Sequence, residues 1–132
     1  RQYCENALTV AKFLESSDKI ASVRYPALPG NEHYERAQKY LPMGTSGVMS
    51  IDIKGGRAPA MKFMDSLKLA CNEVHVADIR TCVLHPASET HRQLTDEQLF
   101  AAGIEPGMVR ISVGLENVED IIADLEQALN QI

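Results

Sequence analysis

Apolar residues recur every three to four positions in three stretches of this chain, and every second position in two others. The first periodicity is that of a helix with one buried face, the second that of a strand with one buried face. Residues 2–16 set Tyr3, Ala7, Val10, Ala11 and Leu14 on one helical face, and Ser16, Ser17 and Asp18 stop the helix. Residues 57–70 repeat the pattern through Ala60, Phe63, Met64, Leu67 and Ala70, with Pro59 tolerated in the first turn. The last helix begins at an Asn117 cap, carries Glu119 and Asp120 at its positive end, and buries Val118, Ile121, Ile122, Leu125 and Leu129. Gly47–Lys54 alternates, with Met49, Ile51 and Ile53 on one side; Met108–Gly114 alternates, with Val109, Ile111 and Val113 on one side.

Shorter signals fill the gaps. Ser22–Tyr25 is extended, residues 31–40 form a polar and peripheral helix, and Val74–Ala77 and Thr81–Leu84 read as two short strands. Thr95-Asp-Glu-Gln98 has the spacing of a capping box, flanked by a Leu94–Leu99 staple and closed by Gly103. The sum is about five helices and five short strands in mixed order. Helices with such strong apolar stripes need a sheet face to cover. The expected fold class is α+β: a small, mostly antiparallel sheet with helices packed mainly on one face.

Composition narrows the function. A chain of 132 residues forms one domain. The net charge of -5 is spread along the chain, with no basic stripe to suggest nucleic acid. No apolar run approaches the roughly 20 residues of a membrane span, and no export signal is visible, which together point to a cytoplasmic protein. Cys4, Cys71 and Cys82 are too few and scattered for a disulfide framework and read as small, reduced core residues. The helical pattern starts at once after Arg1, as in a domain excised from a longer chain.

One residue breaks the apolar pattern of the last strand. Arg110 shares a face with Ser112 and Gly114, a polar face open to a ligand or to solvent. A planar guanidinium grips a carboxylate with two parallel hydrogen bonds, so an anion is one natural occupant; the other reading is an arginine on a wet sheet face. His75 alternates with Val74 and Val76 and is a candidate to face the same ligand. His85, held extended by Pro86, reads as a buried histidine satisfied by backbone. His75, His85, His91 and Asp78 match no compact metal spacing. Ser88 and Thr90 lie near histidines but on no nucleophile elbow, and Gly55-Gly56 lacks phosphate-loop spacing.

The segments HPASETHRQL, VRISVGLENVEDIIADLEQAL and YPALPGNEHYERAQKYLPMGTSGVMSIDIKGG resemble the C-terminal part of the Cys/Met-metabolism family of pyridoxal-phosphate enzymes, over essentially the whole chain. Within it, HVADIRTCVLHPAS looks most like the O-acetylhomoserine sulfhydrylase (aminocarboxypropyltransferase) branch; cystathionine γ-synthase and methionine γ-lyase share the framework. The resemblance implies a cytoplasmic transferase of methionine biosynthesis that replaces the γ-substituent of an amino acid with sulfide or a thiol. It implies that Arg110 holds the substrate α-carboxylate and that Thr90 lines the substrate pocket. His75 falls where many members place a serine or asparagine that helps bind the carboxylate, a departure from the pattern. Ser112 and Glu116 belong to the motif as structural residues.

The family holds its cofactor as a Schiff base on a lysine in a Ser/Thr-rich segment of a preceding domain. Lys12, Lys19, Lys39, Lys54, Lys62 and Lys68 lie in no such segment. The resemblance therefore implies that residues 1–132 are the substrate-binding C-terminal domain, with a cofactor-binding N-terminal domain as partner. The intact protein is expected to be a homo-oligomer; this chain alone is expected to bind no pyridoxal phosphate, metal, nucleic acid or membrane, and to be inactive. The competing class is a non-catalytic module that binds a carboxylate or another protein; a small-molecule sensor is a weaker third.

Overall fold

The computed structural model describes residues 1–132. It runs α1 (Gln2–Glu15), β1 (Ile20–Arg24), α2 (Tyr34–Tyr40), β2 (Val48–Ile53), α3 (Arg57–Ser66), β3 (Cys71–Asn72), β4 (Cys82–Leu84), α4 (Asp96–Ala101), β5 (Met108–Ser112) and α5 (Val118–Leu129). The strands form one sheet in the order β1-β2-β5-β4-β3. All neighbours are antiparallel except the parallel edge pair β3–β4. This is the expected α+β architecture.

The alternating strands set the layers. Met49, Ile51 and Ile53 of β2, Val83 of β4, and Val109, Ile111 and Val113 on and just after β5 point to one side. There they meet Val10 and Leu14 of α1, Phe63 of α3, and Ile121 and Leu125 of α5, all buried. Each such side chain contributes about 1.5–3 kcal/mol by leaving water. The peripheral α2 buries only Ala37.

Local chemistry sets several ends. The Thr95 hydroxyl accepts from Gln98 N–H, and the Gln98 side chain accepts from Thr95 N–H, completing the capping box. At the far end of α4, Ile104 N–H bonds Leu99 O and Gly103 N–H bonds Phe100 O, with Gly103 at φ 74. That is a Schellman closure, which needs the left-handed residue that glycine supplies. Asn117 caps α5 by accepting from Glu119 N–H.

Three expectations are corrected. Helix α3 ends at Ser66 rather than residue 70. The buried carboxylate of Asp124 on α5 accepts backbone N–H groups from Lys68, Leu69 and Ala70 at 2.8–2.9 Å, and Gln127 donates to Ser66 O. Those amides turn outward to a tertiary acceptor instead of back into the helix. The strand expected at Val74–Ala77 lies earlier, at Cys71–Asn72; the chain leaves the sheet after Glu73, and Ala77 sits at φ 58. Of the three cysteines, only Cys82 is a buried core residue; Cys4 and Cys71 are partly exposed.

Asp124 therefore joins α5 to the α3–β3 connection. Asp124→Ala leaves three amides without their acceptor and should lower unfolding free energy in urea by about 2–3 kcal/mol, with Asp124→Asn falling between it and wild type. A loss below about 0.5 kcal/mol, the scale of an ordinary surface substitution, would contradict this account of the junction.

Candidate functional site

Arg110 lies on β5, bonded on both edges: its Cα partners are Ser50 on β2 and Leu84 on β4. Val109 and Ile111 are committed to the helical layer, so alternation sends the Arg110 side chain to the other face. Residues 73–80 lie across that face. Arg110 Nη2 donates to Val74 O at 2.7 Å and to His75 O at 3.4 Å. Its Nε is buried without a partner. No carboxylate pairs with it, whereas Arg24 pairs with Asp52 at 2.9 Å, Arg57 with Asp96 at 2.7 Å and Arg80 with Glu73 at 3.0 Å. Arg110 is thus a half-buried cation held by carbonyl dipoles and unneutralised by any acid of this chain.

The 73–80 segment is tied down at several points. Arg80 forks onto both oxygens of Glu73, at 3.2 and 3.0 Å, and also reaches Asp78 at 3.2 Å. Hydrogen bonding from Arg80 holds the Asp78 carboxyl down at about 2, well below the usual carboxylate range. Ala77 N–H donates to Ser112 Oγ at 3.1 Å, and Leu115 N–H to Ile79 O at 2.8 Å. These bonds hold Ala77 in the left-handed region, a conformation that costs a non-glycine residue of order 1 kcal/mol or more. They also correct the expectation of a fully open polar face: Ser112 and Gly114 are buried beneath this segment. A Cβ at Gly114 would meet the Ile79 carbonyl and Glu116, so the close approach requires glycine.

Ser112 and Glu116 take the structural roles expected of them. The Glu116 carboxylate accepts from Thr81 N–H at 2.6 Å and from its hydroxyl at 3.0 Å. Thr81 Oγ1 accepts from Gly114 N–H, and the Asn6 side-chain amide donates to the carbonyls of Gly114 and Glu116. This network ties α1, the start of β4 and the end of β5 together. Periodicity flagged neither Asn6 nor Thr81; a polar residue within the buried stripe of α1 was the available signal.

The other named residues separate. His75 meets Arg110 only through its carbonyl; its ring is 61% exposed, with Nδ1 3.0 Å from Glu73 Oε2. Thr90 is exposed, and its hydroxyl hydrogen-bonds His91 Nδ1 at 2.9 Å rather than Arg110 or His75. The structure thus brings His75 to Arg110 and leaves Thr90 outside that contact. His85 is buried as expected, with Nε2 donating to Pro106 O and Nδ1 facing the Ser88 hydroxyl, each at 2.8 Å. A carbonyl can only accept, so Nε2 carries the proton and the neutral ring accepts from Ser88. Arg57 donates to Ala87 O and so fastens the same loop to α3, a contact that no motif announced. His75, His85 and His91 do not converge. Glu73, His75 and Asp78 do bring ligand atoms within 4.8 Å of one another, but Arg80 already occupies both carboxylates.

Residues 1–130 match the model of the Cys/Met metabolism PLP-dependent enzymes, and the chain belongs to that family. The O-acetyl-L-homoserine sulfhydrylase of Leptospira meyeri is 46% identical over 128 residues, covering 96% of this chain and 29% of that protein. The L-methionine gamma-lyase of Porphyromonas gingivalis is 43% identical over 131 residues, covering 99% of this chain and 33% of that protein. A crystal structure from Campylobacter jejuni, described as an O-acetylhomoserine (thiol)-lyase with a pyridoxyl-lysine monophosphate, superposes with a TM-score of 0.89 at 38% identity. It matches 98% of this chain, which covers 31% of that one. The chain thus spans about 30% of the length of the relatives it matches. No helix is long and apolar enough to cross a membrane.

The residues present do not fit the family's cofactor. Lys19 Nζ donates to Ile132 O at 2.6 Å and Lys54 Nζ to Asp18 O at 2.7 Å. Lys12, Lys39, Lys62 and Lys68 are exposed on or beside helices. Lys54 does border a cleft of about 740 Å³ with Gly55 and Gly56. Its arginines Arg24 and Arg57 are already paired with Asp52 and Asp96, and Asp52 leaves a buried unpartnered oxygen there. An orphaned acceptor and neutralised cations do not make a phosphate cradle.

Burial pushes the His85 pKa below its ordinary 6.5. The unfolded chain binds a proton near pH 6.5 that the native state refuses, so this contribution is full above that pH and is lost as pH falls through the window beneath it. Melting temperature should decline from pH 6.5 toward 5, before Asp78 and Glu97 contribute, and His85→Asn should flatten that slope. Equal slopes for wild type and variant would remove His85 as the cause.

Proposed function

We propose that this chain is the C-terminal, substrate-binding domain of an O-acetylhomoserine sulfhydrylase-like enzyme, and that Arg110 receives the α-carboxylate of its amino-acid substrate. The observation that carries the reading is the Arg110 guanidinium: half-buried, held through Nη2 by two carbonyls, and paired with no acid. Nη1 makes no hydrogen bond within the chain, leaving a donor edge for a carboxylate. A cation held this way cannot swing far, so a bound headgroup is fixed in orientation as well as in place. His75 sits at the same contact through its carbonyl, and its exposed ring can offer one further hydrogen bond once Glu73 releases it. Thr90 reaches the substrate only if its loop meets the remainder of the protein.

Pyridoxal phosphate, when bound, supplies an electron sink for the substrate. In this reading it is held by the part of the enzyme outside these 132 residues, because the lysines here are solvated or tied to carbonyls. This chain by itself is then inactive, and the intact, cytoplasmic enzyme is a homo-oligomer. A γ-lyase domain is a second reading, supported by the 43% identity to a methionine gamma-lyase; incorporation of added sulfide into product, against release of thiol from substrate, separates the two.

In the intact enzyme carrying this domain, Arg110→Ala should raise KM for the amino-acid substrate on the order of 100-fold, the size of a buried ion pair broken from one side. A KM within about twofold of wild type would reject the assignment. Pyridoxal phosphate added to this chain alone should leave no lysine adduct after dialysis; a stable adduct would overturn the division of labour.

A further inference from the structure

Cys71 and Cys82 are Cα partners on the parallel pair β3–β4. Backbone bonds from Cys71 N–H to Thr81 O and from Glu73 N–H to Val83 O, at 2.9 and 3.0 Å, hold that register. In-register residues on neighbouring strands stand about 4.8 Å apart. That lies inside the Cα separation of about 4.4–6.8 Å at which disulfides form. Both side chains leave the sheet on the face of Ser112, the Cα partner of Cys82 on β5. Each sulfur lies near the carbonyl two residues before its own: Cys71 Sγ is 3.8 Å from Leu69 O, and Cys82 Sγ is 3.6 Å from Arg80 O. The two side chains are therefore parallel, and turning one about χ1 brings sulfur toward sulfur.

We propose that Cys71 and Cys82 are a redox-modification site, forming a reversible disulfide when the protein meets hydrogen peroxide. Access sets the order of events. Cys71 is partly exposed, with Arg80 Nη1 4.0 Å from its sulfur, whereas Cys82 is buried. The Cys71 thiolate attacks the O–O bond; hydroxide leaves, and the sulfur becomes a sulfenic acid. The Cys82 thiol then gives up its proton and its sulfur attacks that of Cys71; the S–O bond breaks and water leaves. Two thiols and one peroxide become one disulfide and two waters. Burial pushes the Cys82 thiol pKa up, which disfavours its thiolate and leaves the partly exposed Cys71 as the thiol that meets peroxide first.

The bond has a structural consequence. It would close a short covalent loop around residues 72–81, the segment whose carbonyls hold Arg110 and whose Ala77 amide is held by Ser112. Cys71, Cys82 and Ser112 form one cross-strand row; Arg110 and Leu84 form the next row on the same face. Oxidation would therefore stiffen the frame of the Arg110 contact. The disulfide stands on strand register alone and does not require the carboxylate reading.

The test is a peptide map. Trypsin cuts after Lys68, Arg80 and Arg92, so the two cysteines fall on separate peptides, 69–80 and 81–92, unless a disulfide joins them. After peroxide treatment of the native protein, the non-reduced digest should contain the joined pair. Dithiothreitol should return the free peptides, and Cys71→Ser should abolish the product. Cys82→Ser should leave a Cys71 sulfenic acid that dimedone captures. The proposal is overturned if Cys71 and Cys82 stay reduced under peroxide that oxidises Cys4, or if Cys71 advances to sulfinic acid while Cys82 remains a free thiol. Because the first readout uses the unaltered chain, a variant that fails to fold does not blunt it.

Discussion

β5 is hydrogen-bonded on both edges, between β2 and β4, and this confinement governs most of what surrounds it. A strand fixed on both sides cannot rotate, so each residue must point to one layer or the other. Val109, Ile111 and Val113 go to the helices and close the core. Arg110 and Ser112 are thereby delivered to the opposite face, where each organises part of a single loop. Arg110 takes the carbonyls of Val74 and His75, and Ser112 takes the amide of Ala77. A one-residue slip of β5 would bury a guanidinium among leucines and expose the valines.

The loop so organised is unusual in how its charges are divided. Arg80 is saturated by Glu73 and Asp78, and the tie holds both ends of the segment together. Arg110, which bonds carbonyls of the same segment, meets only those carbonyl dipoles. Exposed ion pairs contribute little singly, but this fork closes a loop whose interior residue Ala77 is strained. The arrangement places an arginine neutralised by two carboxylates beside an arginine that no acid of this chain neutralises. Arg24 and Arg57, by contrast with Arg110, are both paired, with Asp52 and Asp96. The chain belongs to the Cys/Met metabolism PLP-dependent enzymes and spans about 30% of the length of the relatives it matches.

The helical stripes, the alternation of β2 and β5, the α4 capping box and the Asn117 cap were legible because each is a local pattern acting on its own segment. Arg110 was legible for the same reason: a charge in an alternating apolar strand stands out. The buried state of His85 followed from its proline neighbour and its place at the end of a strand. The lone charge suggested an anion for Arg110 and alternation suggested a ligand-facing His75, whereas the expected assignment of Arg110 to a substrate α-carboxylate and of Thr90 to its pocket came from resemblance to a family rather than from any pattern of spacing.

Sequence by itself determined which segments form helices and strands, which of their faces are apolar, and that a single arginine faces away from the core. Those properties depend on periods of about 3.6 and 2 residues, which a few neighbours suffice to express. Tertiary structure alone decided where α3 stops, because its stopping acceptor, Asp124, lies more than fifty positions along the chain. It also decided that Val74–Ala77 leaves the sheet, and that Cys71 stands opposite Cys82. Contacts between residues far apart in sequence leave no periodic trace, so only the closed sheet and its packed helices could show them.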